Sequence, residues 1–182
     1  MPASQPNFTR RKLSWATLLV FLCMTAALSL AWSHQKLLSQ DEMYEFQTDS
    51  VASMTQLVHV QETWPISLDP LLYHALSHSA MQVFGPSAFA QRLPALFGFL
   101  LMQICLFLFV RNVAGERAGV VAAAFPAMTV TLYYSAEGRP YGLLLGLYAL
   151  ALLSWQGATR IGSGRRVWAP TQRERELLLL GI

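Results

Sequence analysis

From Leu13 to Trp32 the chain carries no charged side chain. As a helix, a run of that length crosses a hydrocarbon core of roughly 30 Å. Lipid offers no partner for backbone N–H and C=O groups, so such a segment must satisfy them internally. A second block, Leu93–Val110, is bounded by Arg92 and Arg111, and two more run over Ala118–Tyr134 and Tyr141–Trp155. The last two are short for spans and rich in Gly and Ala, which suits helices packed inside a bundle. The closing residues Leu177–Ile182 read as the first turn of a further, truncated span.

The expected fold is an all-α polytopic membrane helix bundle of about four complete spans plus a truncated fifth. Residues 1–12 form a cytoplasmic N-terminus, 13–176 the transmembrane domain, and 177–182 the start of the further span. Composition agrees. Hydrophobic residues make up 54% and charged residues 13%, the latter about half the share of a soluble domain. No basic run is interleaved with aromatics, which argues against a nucleic-acid partner. Cys23 and Cys105 lie inside apolar blocks, where a thiol packs as a small apolar side chain, and no metal-ligand spacing joins them. The first block also reads as a cleaved signal peptide, but such a peptide ordinarily has a shorter apolar region followed by a small-x-small site.

Basic residues set the orientation. With the N-terminus inside and each of the four blocks crossing once, Arg10, Arg11, Lys12, Arg111, Arg117, Arg160, Arg165, Arg166, Arg173 and Arg175 are cytoplasmic. Only Lys36, Arg92 and Arg139 face outward, together with Asp41, Glu42, Glu45, Asp49, Glu62, Asp69 and Glu137. Polar chemistry gathers on the non-cytoplasmic face.

The first outer loop keeps helical order over about 40–84. Met43, Phe46, Val51, Met54, Leu57 and Val58 share one face, with Asp41, Glu45, Asp49, Gln56 and His59 opposite. This spacing predicts an amphipathic helix along the membrane surface or under the bundle. Ser39 and Glu42 form a capping box at its start. A second helix is expected from Asp69-Pro70, with Asp69 as cap, to about Phe84 before Gly85-Pro86.

Three groups carry candidate chemistry. Asp41-Glu42 is a carboxylate pair suited to deprotonating a hydroxyl or holding a cation; taken alone, ordinary helix capping is the commoner reading of such a pair. Glu137 and Arg139 sit in the Tyr133–Tyr141 junction. Arg139 suits a phosphate and Glu137 suits the ion pair or the substrate, while the alternative is a tight loop with an interfacial tyrosine belt. Arg92, before Leu93-Pro94, is the third candidate; taken alone it reads better as a charge snorkelling from a helix end. His74 and His78 share a helix face at i, i+4, but two ligands make no metal site.

Taken in order, these features resemble the polyprenyl-phosphate-sugar glycosyltransferases of the GT-C superfamily, in the RgtA/B/C/D-like and protein-mannosyltransferase branch. The order is a first span, Asp41-Glu42, Asp69-Pro70-Leu71-Leu72-Tyr73, Phe84-Gly85, Arg92-Leu93-Pro94-Ala95-Leu96-Phe97-Gly98, then Tyr134-Ser135-x-Glu137-x-Arg139-x-Tyr141. It covers nearly all of 13–155. Many relatives read His-Pro where this chain reads Asp69-Pro70.

The resemblance implies an inverting transfer of a sugar from a polyprenyl-phosphate donor to a lipid, glycan or protein hydroxyl, on the periplasmic or extracellular face of a bacterial inner membrane. It implies Asp41, with Glu42, as the catalytic pair, and Arg139, Glu137, Arg92 and Tyr141 as substrate- or phosphate-binding residues. No cofactor is certain; a divalent cation remains open, and no metal ligand is assigned. A transporter or lipid carrier, or a non-catalytic membrane subunit, is the alternative.

Overall fold

The computed structural model describes residues 8–63 and 67–159. Helix α1 (Phe8–Gln35) leads into two short helices, α2 (Gln40–Asp49) and α3 (Met54–Thr63). Helices α4 (Leu71–Phe84) and α5 (Ala88–Ala114) follow. Then come α6 (Glu116–Ala124), two stretches of 3-10 helix over Phe125–Met128 and Val130–Ser135, and α7 (Tyr141–Ala158). Among the described residues every regular element is helical. The truncated span expected at 177–182 lies outside them.

Among the described residues, three helices are long and apolar enough to cross a membrane: Trp15–Gln35 of α1, all of α5 and all of α7. The fourth expected span, 118–134, is not one helix. Pro126 has no N–H to continue the ladder, and Thr129 is extended at φ −122°, so the segment breaks into α6 and two tight turns. It nevertheless runs antiparallel along α5. Gly119 packs on Phe107 and Arg111, the Ala123 carbonyl accepts from Gln103 Nε2 at 3.0 Å, and Gly138 packs on Gln91.

Small residues set the closest helix contact. A Cβ on Gly98 would overlap the Leu143 backbone, and one on Gly142 or Gly146 would overlap the carbonyls of Ala95 or Gly98. Gly142 and Gly146 are four apart on one face, which lets α5 and α7 touch backbone to backbone. The apolar cluster beside this contact holds Phe99, Met102, Cys105 and Ala149. Polar side chains join the helices elsewhere in the bundle: Gln103 donates to Thr25 at 3.2 Å, Asn112 to Gln156 at 2.9 Å, and Ser29 bonds Ser135 at 2.5 Å. Both cysteines are free. Gly85 and Gly115 end α4 and α5 at φ +82° and +92°, a region closed to side chains with a Cβ.

The first outer loop departs from expectation in two ways. The single amphipathic helix is divided, because the chain turns at Ser50–Ser53 between α2 and α3. In α2 the polar side also faces inward, whereas α3 buries Leu57 and exposes Gln56 and His59 as expected. Glu42, Glu45, Thr48 and Asp49 of α2 are buried, and Met43 and Tyr44 are exposed. Helix α4 repeats the pattern, burying His74, Ser77 and His78 and exposing Leu71, Leu72, Leu76, Val83 and Phe84. An apolar outer face is stable where it meets lipid rather than water. Helix α4 begins at Leu71 with Pro70 as its uncapped flanking residue, so Asp69 is not the helix cap. Its carboxylate is engaged elsewhere.

Candidate active site

The polar end of the bundle is organised around Glu42. The capping box forms: Glu42 N–H donates to Ser39 Oγ at 3.3 Å, and Ser39 N–H donates to Glu42 Oε2 at 2.9 Å. That geometry turns the Glu42 carboxylate toward α5. Arg92 meets it with two parallel bonds, Nε to Oε1 and Nη2 to Oε2, both 3.0 Å. The remaining Arg92 hydrogens go to the carbonyls of Ser33, Lys36 and Leu37 at 2.7, 3.1 and 3.3 Å. These carbonyls end α1, where backbone acceptors lack helical partners and the helix dipole favours a cation.

Gly138 N–H donates to Glu42 Oε1 at 2.6 Å, and Lys36 Nζ lies 3.3 Å from Oε2. Gln91 Nε2 adds a bond to the Glu42 carbonyl at 2.8 Å. One carboxylate thus joins α1, α2, α5 and the 136–140 loop. Burial opposes its charge, but Arg92 and the Gly138 and Ser39 amides hold its pKa at about 2.

Asp41, the preceding residue, is 69% exposed. Its Oδ2 lies 3.0 Å from Arg139 Nη1. Arg139 also reaches Asp69, with Nε 3.1 Å from Oδ2 and Nη2 donating to Oδ1 at 3.4 Å. Its guanidinium carbon sits 5.7 Å over the Tyr141 ring. Burial works against the Arg139 cation, and Asp69 leads the charges that raise its pKa all the same. Tyr141 stays 42% exposed, and its ring tilts against Tyr134 at 5.3 Å.

Glu137 points the other way. It accepts from Tyr133 Oη at 3.3 Å, and Lys36 Nζ stands 4.6 Å over the Tyr133 ring. Burial raises the Glu137 pKa against the pull of Lys36. Glu137 and Arg139 are therefore not paired with each other in this arrangement.

A second acidic group adjoins the first. Glu45 and Asp49 follow Asp41 at i+4 and i+8, so all three line one face of α2. His74 Nδ1 lies 2.7 Å from Asp49 Oδ1 and 3.3 Å from Glu45 Oε2. His78 Nδ1 instead bonds the Asp49 carbonyl at 2.9 Å, so the two histidines do not converge. Ser67 Oγ donates to Glu45 Oε1 and accepts from Asp69 N–H, the latter at 3.1 Å. Burial pushes the Glu45 pKa up to about 7. For His74 burial works downward, and the Asp49 carboxylate raises its pKa overall.

Reading the sequence singled out Asp41, Glu42, Arg92, Glu137, Arg139 and Tyr141, and all lie at this end of the bundle. It did not find Asp69 as the partner of Arg139, nor the grouping of Glu45, Asp49 and His74. The available signal was the i, i+4, i+8 acidic stripe on α2, which as amphipathicity alone does not say which way the polar face turns.

Fold and site together define an integral membrane protein whose apolar helices carry a charged site at one end of the bundle. Residues 69–169, more than half of the 182-residue chain, match the model of the family described as dolichyl-phosphate-mannose-protein mannosyltransferase. The chain belongs to this family of membrane glycosyltransferases, of the GT-C type. The matched range holds Asp69, Arg92, Glu137, Arg139 and Tyr141; Asp41 and Glu42 precede it. No curated protein and no solved structure matches the chain.

Proposed function

We propose that the protein transfers a sugar from a polyprenyl-phosphate donor to an acceptor hydroxyl on the non-cytoplasmic face of the membrane, with inversion and with Asp41 as the base. The observation that carries this reading is the contrast within the site. Glu42 has every oxygen bound, whereas Asp41 is solvent-exposed and 3.0 Å from a guanidinium. A base must reach the acceptor proton directly or through one water.

The mechanism follows from the charges. Arg139 offers a planar set of donors suited to a phosphate. When the donor phosphate binds, it competes with Asp41 for Nη1, and the freed carboxylate takes the proton of the acceptor hydroxyl. That oxygen attacks the anomeric carbon as the bond to the phosphate oxygen breaks, so direct displacement inverts the centre. Arg139 then meets the charge gathered on the departing lipid phosphate.

Glu42 and Arg92 hold the loops in place without touching substrate. Glu137 and Tyr141 border the sugar-phosphate. A groove of about 230 Å³, lined by Leu76, Phe84, Leu93, Pro94, Phe97 and Leu143, supplies apolar surface for the lipid tail.

An N-terminus in the cytoplasm of a bacterial inner membrane agrees with the placement of basic residues. A transporter would carry ionisable groups deep in its spans, whereas the buried polar side chains midway along α1 and α5 are the uncharged Thr25, Ser29 and Gln103. The test is sugar transfer by full-length Asp41→Asn in membranes, with a panel of polyprenyl-phosphate sugars as donors. Loss of transfer supports the assignment, and turnover near wild type removes it.

A further inference from the structure

Arg92 and Lys36 answer the charge of Glu42, and Arg139 answers Asp41 and Asp69. Glu45 and Asp49 are left facing one imidazole. All three side chains are at or below 1% exposure. Glu45 Oε2 and Asp49 Oδ2 accept no hydrogen bond. Glu45 Oε2 is nevertheless aimed into the group, 3.3 Å from His74 Nδ1. Buried charges in proteins are paired or coordinate metals, because an uncompensated one costs several kcal/mol. One ligand atom from each of Glu45, Asp49 and His74 lies within 4.8 Å of the other two.

We infer that Glu45, Asp49 and His74 form a binding site for one divalent transition-metal ion of zinc-like chemistry, clamping α2 onto α4. The donor set selects the ion. Imidazole with carboxylates suits zinc, whereas calcium and magnesium take oxygen ligands. Zinc–ligand distances near 2.1 Å give ligand-to-ligand edges of about 3.4 Å in a tetrahedral shell. The His74–Glu45 separation of 3.3 Å already fits. The 2.7 Å separation of His74 and Asp49 opens as the ion replaces the proton between them.

Neighbouring groups support the ligands as outer-shell partners do. Ser67 holds Glu45, and His78 holds the Asp49 carbonyl at the end of α2. Asp41 stands one turn before Glu45 on the same face, and Ser67 also bonds the Asp69 amide. The ion therefore fixes the register of Asp41 and of the Asp69–Arg139 bridge while staying out of the reaction. The site stands whether or not Asp41 is the base.

The test uses the full-length protein purified in detergent, stripped with a chelator and titrated with Zn²⁺ alone. Calorimetry gives the affinity and elemental analysis counts the bound metal. The expected result is about one Zn²⁺ per chain, with a melting temperature that rises when Zn²⁺ is restored. His74→Ala and Asp49→Asn abolish stoichiometric binding, and Glu62→Gln, an exposed acid on α3, retains it. Removing a buried partner weakens the fold, so Glu45→Gln, which keeps the side-chain shape, is measured beside them; it loses most of the affinity while eluting as the wild type does on size exclusion. Failure of the wild-type protein to bind stoichiometric Zn²⁺ overturns the inference. So does undiminished binding by folded Glu45→Gln and His74→Ala.

Discussion

Asp41 and Glu42 are neighbours in the chain and opposites in the structure. Glu42 turns inward, is fully buried, and receives a bidentate guanidinium, two backbone amides and an ammonium. Asp41 turns outward and shares one arginine with Asp69. Asp41 shares the α2 face of the buried Glu45 and Asp49 but stands in the first turn, at the open end of the site, where it is 69% exposed. On the proposed function the pair divides the labour. One carboxylate is fully bound and holds four elements together; the other keeps its reach and is free to exchange partners.

The largest effect separating these roles is on stability. Arg92→Ala leaves Glu42 charged, buried and unpaired and strips the α1 carbonyls of their donor. An expected loss of about 3–5 kcal/mol follows from breaking a buried ion pair, read as a lowered unfolding midpoint in detergent. Glu42→Gln belongs to the same class, because it removes charge from two donors that stay buried. If either variant melts like the wild type, the knot is not what holds these elements.

Next comes pH. The Glu42 carboxyl sits at about 2 in the folded chain against an ordinary value of 4.5. A depressed folded pKa contributes stability that is present above the unfolded value and lost as pH falls toward the folded one. The expected contribution is about 3 kcal/mol, disappearing from about pH 4.5 down to 2. Acid-unfolding curves of the wild type and Glu42→Gln should converge across that window. Curves that stay parallel would detach the pKa from the knot.

Smaller effects belong to the bridge around Arg139, whose exposed member is Asp41. Arg139→Lys keeps the charge and loses the planar fork, so the KM for a polyprenyl-phosphate donor is expected to rise about tenfold, or about 1.4 kcal/mol. Unchanged donor KM would reduce Arg139 to a structural role. Asp69→Asn releases one end of the bridge. The pair is half-buried, so the expected stability change by thermal melting is about 1–2 kcal/mol, above that of a surface pair and below that of the fully buried one. A larger loss would show that the bridge belongs with the buried knot.

The long helices and the Ser39–Glu42 box were legible because their signals are local: an apolar run, a residue three positions from its partner. The close approach of α5 and α7 was foreshadowed by the Gly and Ala content of 141–155. The break at Pro126 was less visible, because the residues around it are apolar enough to hide one missing N–H. The inward turn of α2 could not be read from periodicity. Periodicity shows that two faces differ, and in lipid the apolar face turns outward as readily as inward. Glu42–Arg92 and Arg139–Asp69 join residues far apart in sequence, and neither end of such a pair marks the other.

The central claim, that Asp41 does chemistry while Glu42 holds structure, is tested by measuring turnover and melting temperature together on full-length Asp41→Asn. The account predicts a fall in turnover of about 10²–10⁴-fold, the usual range for a lost general base, with melting as in the wild type. Turnover near that of the wild type, or a turnover loss matched by a collapse in stability, would contradict it.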